Sequence, residues 1–184
     1  MPLYFVPLVL SDSWKAANYR GYFFMKEIVI NSPKYGKKIV LVDDDDFNFL
    51  SKLTWHVAKR KYTFYAETRI NKRNISMHRL LIGFKYEVID HIDADGLNNQ
   101  RYNLRGCSQS QNLANMRLST HNTSGFKGVC KTKQGRYHVG IYLNNKRKHI
   151  GCFTDPIEAA KAYNESAIKY YGEFARLNEI PCAV

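Results

Sequence analysis

Residues 88–105 carry an unusual set of polar side chains: Asp90, His91, Asp93 and Asp95 lie within six residues, and asparagines follow at positions 98, 99 and 103. A neutral imidazole can take a proton from water near pH 7. Carboxylate and amide oxygens are the ligands that hard divalent ions prefer. These residue types at this spacing indicate a metal ion held where a polyanion binds. The Asp-Gly pair at 95 and 96 is a strong turn signal, so Asp93 and Asp95 are more simply interpreted as turn carboxylates.

The charge of the chain supports a polyanionic partner. Its 184 residues carry a formal net charge of +12, from 28 Lys and Arg against 16 Asp and Glu. Residues 25–120 contain 16 basic and 10 acidic side chains, and residues 121–178 contain 10 and 4. Such a balance favours nucleic acid as the partner. An anionic membrane surface is less favoured because the sequence has no basic amphipathic helix, and a basic face that is simply solvated is the remaining alternative.

The four cysteines form no C-x-x-C pair, which argues against a structural zinc site. They are also too few for the disulfide framework of a secreted protein. The apolar run at residues 3–10 is too short to span a bilayer and lacks the flanking signals of a secretory leader. We therefore expect free thiols in a reducing cytosol and a cytoplasmic protein that is neither secreted nor membrane-bound. Residues 1–24 are interpreted as an extension of unknown role.

The region upstream of the polar cluster is β-rich. IVLV at 39–42 predicts a strand, and TFYAETRI at 63–70 predicts a hairpin strand followed by the turn NKRN. Between them, Asp43–Asp46 precede FNFLSKLTWHV. Four adjacent carboxylates can bind a metal, but aspartate also suits the free N–H groups and the dipole at a helix start. We therefore predict that the run ends a strand and caps a helix, and that Trp55 packs in the core of this layer.

The polar cluster lies between an expected strand and an expected short helix. SQSQNLANM begins with Ser108, and Gln111 stands three residues later, which is the pattern of a capping box. We expect strand, polar loop, strand and short helix across residues 86–117. Asp90 and His91 are neighbours on the first strand, where successive side chains point to opposite faces. The chain must therefore twist or bulge there for both side chains to reach one site.

The C-terminal third follows a different pattern. After a polar, turn-prone linker at 118–124, hydrophobic residues alternate along 137–143, which predicts a strand with one buried face. NNK at 144–146 predicts a turn, and RKHIGCF predicts the returning strand. The D-P-x-E sequence at 155–158 predicts a helix start, and Gly172 predicts its end. This segment is expected to contain three strands and one helix.

MHRLLIGF, VIDHIDADGLNNQRYNLR and SQSQN together resemble the motif of HNH endonucleases, in the form common among intron-borne and phage homing nucleases. The resemblance covers roughly residues 77–116. It implies a ββα clasp around one divalent ion, Mg²⁺ or alternatively Mn²⁺. No zinc is expected, because no cysteine pairs flank the motif. In the family pattern His91 is the general base that activates water, Asp90 and Asn112 are metal ligands, and Asn103 orients His91 by hydrogen bonding.

Two further residues of the motif are candidates. His78 matches a family histidine and is a candidate catalytic residue, with packing or phosphate contact as alternatives. Arg105 closes the N-L-R element at 103–105 and is predicted to contact DNA. The other members also have purely structural interpretations: His91 as a core histidine, Asn103 as a turn former and Asn112 as an amide on a helix surface.

Residues 124–178 resemble the APETALA2-type DNA-binding domain of plant ethylene-response factors, which also occurs in homing endonucleases. The specific pieces are GFKGV, IGCF, EAAKAYN and GEFARLN. The resemblance implies a three-stranded sheet in the DNA major groove with a helix behind it. Val139, Ile141 and Leu143 are predicted to face that helix, and Lys127 is predicted to contact phosphate. The outward residues predicted to contact DNA are Thr132, Arg136, His138, Tyr142, Arg147 and His149. Because several residues of the plant domains are replaced here, the plant target sequence is not transferred.

These patterns predict an α+β protein: a β-rich N-terminal region leading into a ββα-metal nuclease module, followed by a three-stranded antiparallel sheet packed on one helix. The expected division is a nuclease domain at 25–117, a linker at 118–124, a DNA-binding domain at 125–178 and a tail at 179–184. The two resemblances imply Mg²⁺-dependent cleavage of double-stranded DNA by a monomer or weak dimer in the cytoplasm of a bacterial or phage-infected cell. The alternatives are a DNA-binding regulator with a degenerate nuclease half and, less favoured, an RNA-directed nuclease.

Overall fold

The computed structural model describes residues 25–143 and 146–181, which form a mixed α and β structure with four small antiparallel sheets and four α-helices. The first sheet pairs β1 (Met25–Ser32) with β2 (Gly36–Asp43). The second has the order β3 (His56–Lys59), β4 (Phe64–Ile70), β5 (Arg73–Ser76). The third pairs β6 (Val88–His91) with β7 (Leu104–Cys107). The fourth contains β8 (Val129–Lys131), β9 (Tyr137–Leu143) and β10 (Lys146–Phe153), with β9 in the middle.

The helices are short except for the last. They are α1 (Asp44–Leu50), α2 (Met77–Ile82), α3 (Gln109–Asn115) and α4 (Pro156–Tyr171). Two 3₁₀ turns occur at Arg101–Asn103 and Gly172–Phe174. Within the described ranges, none of these helices combines the length and the apolar composition that crossing a bilayer requires.

Alternation along β1 and β2 builds the first hydrophobic core. Ile30, Val40 and Val42 are buried on one face of the hairpin and pack with Leu50 of α1. Trp55 packs against this core, as the sequence predicts, and its Nε1 donates to the Leu50 carbonyl at 2.8 Å. Burial of such side chains is the dominant favourable contribution to folding. This core therefore supports β6, the strand that carries Asp90 and His91 of the polar cluster.

The acidic run ends β2 and begins α1, as predicted, with Asp44, Asp45 and Asp46 in the first helical turn. Asp43 occupies the N-cap position but makes no capping hydrogen bond. Its carboxylate instead accepts from the backbone N–H of Arg101 at 2.8 Å. The run therefore ends the strand and begins the helix as predicted, but Asp43 forms no side-chain cap, because a loop distant in sequence supplies a competing donor.

The turn between β4 and β5 consists of two residues. Asn71 and Lys72 have φ values of 48° and 65°, and positive φ at both central residues is the geometry that matches the twist of a hairpin. The predicted turn NKRN is thus longer than the observed one, since Arg73 and Asn74 already pair with β4. The tight hairpin fixes the register of β4, which carries Tyr65 toward the polar cluster.

The predicted strand, loop, strand and short helix are present between residues 88 and 115. β6 and β7 pair so that Asp90 lies opposite Arg105. The Ser108 hydroxyl accepts from the Gln111 N–H at 3.2 Å, and the Gln111 Oε1 accepts from the Ser108 N–H at 2.8 Å. This is the capping box that the sequence predicts, and it fixes where α3 begins relative to β6.

The last sheet packs on α4, as the alternation predicts. Val139 and Ile141 are buried against a stripe of α4 formed by Ala159, Tyr163 and Ala167. Small side chains on the helix allow it to lie close to the sheet. This second core is separate from the first and leaves the opposite face of the sheet without a covering layer from the described residues.

The ends of α4 also follow the sequence signals. Pro156 stands at the first helical position, and the Asp155 carboxylate accepts from the Ile157 N–H at 2.8 Å. The helix ends at Gly172, whose φ is 55°. One feature that periodicity did not reveal is an irregular pairing in β10 beside His149.

Some expectations fall outside the described residues. The predicted N-terminal extension at 1–24 and the last residues, 182–184, lie there, as do two of the three residues of the predicted NNK turn. Lys146, the third, opens β10. The division into domains at 25–117, 118–124 and 125–178 stays a prediction, although each of the two larger ranges contains one of the two hydrophobic cores.

Gly128 provides a test of the second core. Its φ is 74°, and a Cβ built there would collide with the Tyr163 ring. We expect Gly128→Ala to lower the free energy of unfolding by about 2–4 kcal/mol, since backbone strain and overpacking add together. Gly135 has a similar φ of 79° but open space around it, so Gly135→Ala should cost about 1 kcal/mol. Urea unfolding of both variants measures the difference, and equal losses would contradict the packing role of Gly128.

Candidate functional site

The end of β6 opens into a cavity of about 220 Å³. Asp90, His91 and Asn112 all line it, so the structure brings three of the predicted site residues to one place. Asp90 and His91 are only 5% and 4% exposed. Side chains from the β4 region and from α3 complete the walls. The cavity therefore combines an imidazole, a carboxylate and an amide in one recess of the surface.

Adjacent residues of β6 reach the same cavity because the strand ends at His91. The Ala94 N–H donates to the His91 carbonyl at 2.8 Å, and Ala94 has a φ of 60°. The Ile92 N–H donates to the Asn103 carbonyl at 2.9 Å. The chain thus turns sharply just after His91. A regular strand would place the Asp90 and His91 side chains on opposite faces, so a break in the strand is expected where both side chains line one cavity.

Three rings form a cluster behind the cavity. His91 lies with its ring centroid 5.1 Å from that of His78 and 5.5 Å from that of Tyr65, and the latter two rings are 5.6 Å apart. All three pairs are edge-to-face, the arrangement that aromatic rings favour. His78 is not among the described residues that line the cavity. Its position supports the packing interpretation of His78 rather than direct contact with a substrate.

Burial keeps both histidines uncharged. Desolvation, with the nearby charges of His91 and Arg79, lowers the pKa of His78 to about 3. Desolvation also lowers the pKa of His91, although the Asn99 side chain and the Asp93 carboxylate oppose this effect. The His91 Nε2 is buried and has no hydrogen-bond partner among the described residues. An uncharged imidazole is the form that can accept a proton.

Asn103 has a different role from the predicted one. Its side-chain N–H donates to the Asp93 carboxylate at 2.9 Å and to the Asn98 carbonyl at 2.8 Å, and its side-chain oxygen accepts from the Asp93 N–H at 3.0 Å. The predicted hydrogen bond from Asn103 to the His91 ring does not occur among the described residues. The loop after β6 takes the amide instead, so Asn103 acts on His91 only through the backbone.

The loop itself is fixed by turn carboxylates, as predicted. The Asp93 carboxylate accepts from the Asp95 N–H at 2.8 Å, and that of Asp95 accepts from the Leu97 N–H at 3.0 Å. Leu41 of β2 then holds the loop from outside, because its N–H donates to the Leu97 carbonyl and its carbonyl accepts from the Asn99 N–H. Asp93 and Asp95 therefore fix the shape of the loop beside the site. Neither was predicted to bind a metal ion.

Asp90 is held from two directions. Arg105 donates to its Oδ2 from Nε at 3.0 Å and from Nη2 at 2.9 Å. The Asn115 amide of α3 donates to both carboxylate oxygens at 3.1 Å. The prediction that Arg105 contacts DNA is contradicted by this geometry, because the side chain is only 13% exposed and its donors are used internally. A buried carboxylate needs a partner charge, and Arg105 supplies it.

Asn112 of α3 also lines the cavity, and none of the hydrogen bonds found among the described residues uses its side-chain amide. One carboxylate and one amide oxygen suit a hard divalent ion that keeps several waters and binds phosphate oxygens. Asp90 and Asn112 therefore fit such an ion. The described residues contain no group of three or more His, Cys, Asp or Glu side chains arranged to hold a metal, so an ion here would depend heavily on ligands from water and substrate.

Three cationic side chains at this cavity were missed by the sequence interpretation. Arg60, Lys61 and Arg117 all contribute to its lining. Arg60 is paired with Glu67 at 2.6 Å, whereas Lys61 and Arg117 are exposed. The run K-R-K immediately before the predicted strand at 63–70 was the available signal. Three cationic side chains against one carboxylate, Asp90, in the lining of the cavity favour an anionic substrate.

The outer face of the last sheet has the composition that was predicted. The register pairs Tyr142 with Arg147, and the rings of His138 and His149 lie 5.7 Å apart. Of the residues predicted to contact DNA on this face, those that are exposed are Arg136, His138, Tyr142, Arg147 and His149. Thr132 is half-buried, and its hydroxyl accepts from the Arg136 N–H at 3.2 Å. It therefore shapes the turn between β8 and β9.

Lys127 does not lie on that face. Its Nζ donates to the Ala114 carbonyl and, at 2.6 Å, to the Met116 carbonyl, both at the end of α3. Burial lowers its pKa to about 8. The prediction that Lys127 contacts phosphate is contradicted, because the unpaired carbonyls of a helix C-terminus attract the ammonium group instead.

Comparison with known proteins gives three informative relatives. An uncharacterized HNH endonuclease of Acanthamoeba polyphaga mimivirus is 28% identical over 164 residues, which cover 86% of each chain. Protein 3.8 of Escherichia phage T7 is 32% identical over 88 residues, which cover 48% of this chain and 73% of that protein. A putative AP2/ERF and B3 domain-containing protein of Oryza sativa subsp. japonica is 34% identical over 71 residues, 39% of this chain and 22% of the rice protein. No protein-family model matches the chain.

The viral matches agree with the site. The relation to the mimivirus protein runs along most of both chains, and the site has the imidazole, carboxylate and amide expected from the HNH resemblance. The rice match is limited to a small part of a much longer protein. The chain belongs to the same family as protein 3.8 of Escherichia phage T7 and is a distant homologue of an HNH endonuclease.

Proposed function

We propose that the protein is a divalent-metal-dependent endonuclease that hydrolyses phosphodiester bonds of double-stranded DNA, with residues 25–117 as a ββα-metal nuclease domain and 125–178 as a DNA-binding domain of the APETALA2 type. The observation that carries this proposal is the cavity at the end of β6. It unites an uncharged imidazole whose Nε2 has no hydrogen-bond partner among the described residues, a carboxylate and an amide with two exposed cations in a protein of net charge +12.

His91 is the general base in this proposal. Burial lowers its pKa, so the ring is uncharged at neutral pH, and its Nε2 is free of internal hydrogen bonds. It takes a proton from the attacking water as the water oxygen bonds to phosphorus. The bond from phosphorus to the leaving sugar oxygen breaks, and that oxygen takes a proton from solvent. Proton transfer by a positioned side chain contributes about 10²- to 10⁴-fold to a rate. The sharp turn at Ala94 holds the ring toward the cavity.

Asp90 and Asn112 are the proposed ligands of the ion. A bound Mg²⁺ or Mn²⁺ would stabilise charge on the phosphate oxygens and on the leaving oxygen. The protein's own part is to keep the two oxygen ligands fixed. Arg105 and Asn115 lock the Asp90 carboxylate, and the capping box fixes the first turn of α3, where Asn112 lies.

The exposed cations contribute to substrate binding. Lys61 and Arg117 border the cavity from different elements, and neither has an acidic partner among the described residues. They are placed to bind phosphates next to the cleaved bond. The exposed face of the last sheet offers Arg147, which can form two hydrogen bonds with a guanine edge.

One observation favours a second candidate, a DNA-binding regulator with a degenerate nuclease half. The Asp90 carboxylate is already neutralised by Arg105, which weakens its attraction for a cation. Replacement of His91 separates this regulator from the nuclease, because only the nuclease loses a cleavage activity when His91 is replaced.

His91→Ala should reduce Mg²⁺-dependent cleavage by about 10²- to 10⁴-fold and leave DNA affinity within twofold of wild type. His56→Ala, at an exposed histidine of β3 outside the cavity, is the matched control and should leave both unchanged. Cleavage is followed on plasmid DNA with Mg²⁺ and with EDTA, binding by fluorescence anisotropy and folding by circular dichroism. A wild-type protein that binds DNA but never cuts it would instead establish the regulator.

Arg147→Ala should weaken DNA binding by about 1–3 kcal/mol, the usual contribution of an arginine that contacts a base. Lys161 is the control for loss of one positive charge, because it is exposed on α4 and paired with Glu158 at 2.8 Å. Lys161→Ala should change the affinity by less than threefold. Both are measured by anisotropy at fixed ionic strength on DNA selected from a random library. Equal effects of the two substitutions would contradict sheet-mediated recognition.

His78 tests the electrostatics of the ring cluster. Its pKa of about 3 lies below the ordinary 6.5. Below pH 6.5 the unfolded chain therefore binds a proton at His78 that the folded chain does not bind. The contribution of His78 to the free energy of unfolding is fully present above pH 6.5 and is lost as the pH falls. The loss attributable to this residue is about 2 kcal/mol between pH 7 and pH 5. His78→Phe keeps a ring and should flatten the stability curve by that amount in urea unfolding. Parallel curves for the variant and wild type would show that His78 is not held uncharged.

A further inference from the structure

The two halves of the described chain meet in a continuous contact that we call the seam. From the first half it contains Arg105 of β7 and the carbonyls that end α3. From the second half it contains Lys127 and the segment after α4. The residues that form it are Arg105, Ala114, Met116, Lys127, Glu173, Phe174 and Arg176.

Arg105 is the centre of the seam. Its Nε and Nη2 bind Asp90, while its Nη1 donates to the Glu173 carbonyl at 2.8 Å. The guanidinium carbon also lies 4.1 Å from the centroid of the Phe174 ring, which covers its face. Stacking and hydrogen bonding from one planar group are specific to arginine, since a lysine ammonium cannot make both. One side chain therefore joins the proposed ion ligand to the C-terminal half.

A second set of contacts holds the end of α3. The Ala114 carbonyl accepts from the Arg176 N–H at 3.3 Å as well as from the Lys127 ammonium group. Helix carbonyls without partners are costly when buried, so both donors stabilise the seam. The segment containing Arg176 packs on the same helix that carries Asn112.

The seam is also tied firmly to the sheet. Asn178 accepts from the Lys127 N–H at 2.6 Å and donates to the Lys127 carbonyl at 3.1 Å. Its backbone exchanges hydrogen bonds with the side chain of Asn164, in the middle of α4. These contacts join Lys127 to the helix that supports the sheet, so a displacement of the sheet would move the seam.

The end of the predicted linker at 118–124 is held by hydrogen bonds to the second half. Asn122 donates from its side chain to the Phe126 and Val129 carbonyls at 3.0 and 3.3 Å, and its side-chain oxygen accepts from the N–H groups of Ser124 and Gly125. The Ser124 hydroxyl donates to the Val129 carbonyl at 2.8 Å. The predicted linker is therefore folded against the start of β8.

We propose that the seam locks the DNA-reading sheet and the cavity into one rigid unit, so that the cleaved bond lies at a fixed number of base pairs from the sequence that the sheet contacts. This rests on the proposed function. If a flexible seven-residue linker joined the two halves, their separation would vary by roughly 15 Å. That distance corresponds to about four base pairs at about 3.4 Å each. In this scheme Arg105 and Phe174 are positioning residues, which act through Asp90 and the docking of the sheet.

The spread of cut positions is the direct test. DNA fragments selected by the wild-type protein from a random library are cleaved with Mg²⁺, and both ends are sequenced relative to the selected motif. We expect wild-type ends within one or two base pairs, and Phe174→Ala ends spread over about four, with affinity for the motif within twofold. Phe174→Tyr keeps the ring over Arg105 and should restore the narrow distribution.

Phe49→Ala is the matched control, because Phe49 is 52% exposed on α1 and lies outside the seam. Its cut positions should equal those of wild type. The inference is overturned if wild-type ends already spread over several base pairs, or if Phe174→Ala leaves the distribution narrow.

Hydrogen exchange tests the seam without cleavage. In the free full-length protein, the Arg176 amide should exchange at least tenfold faster in Phe174→Ala than in wild type or Phe49→Ala. An Arg176 amide that exchanges freely in wild type would mean that the seam is open in solution, and the inference fails even if the protein cuts DNA. A protected amide in a protein that never cuts DNA would leave the rigid unit standing and refute the proposed nuclease.

Discussion

The carboxylate of Asp90 is the point on which both halves of the molecule depend. It lies on β6, is bound by Arg105 from β7 and by Asn115 from α3, and through Arg105 it is joined to Glu173 and its segment after α4. Removing one partner of a buried ion pair typically costs about 3–5 kcal/mol, because an uncompensated charge is left behind. The free energy that would be lost if the Asp90 carboxylate were left buried without a partner therefore keeps the residues around the proposed site in place.

That constraint has a consequence for metal binding. A carboxylate already paired with a guanidinium attracts a cation less strongly than a free one, and Asn112 adds no formal charge. Under the proposed function, phosphate oxygens of the DNA must supply much of the negative charge around the ion. The exposed cations Lys61 and Arg117 favour the same substrate. An ion held weakly until the phosphate is bound would restrict hydrolysis to the engaged complex.

The sequence predicted the secondary-structure elements better than it predicted which side chains contact each other. The capping box of Ser108, the start of α4 and the buried face of β9 are set by residues within a few positions of one another, and all three were predicted. The role of Arg105 was not, because its second partner, Glu173, lies 68 residues further along the chain. The family motif located the cavity, but it could not show that Asn103 is fully engaged by the loop after β6.

The same distinction governs the basic residues. Counting lysines and arginines indicated a polyanionic partner, but the count does not say which of them can touch it. Arg101 is bound to the Asp46 carboxylate at 2.7 and 2.8 Å, and Arg105 and Lys127 are used in the seam. The two arginines are each paired with a carboxylate, so these ion pairs carry no net charge and add little to the field around the protein. Under the proposed function, attraction and direct contact therefore fall to cations without an acidic partner among the described residues, such as Lys61 and Arg117 at the cavity and Arg147 on the last sheet. The count of basic residues does not separate these cations from the paired ones, whereas the folded structure does.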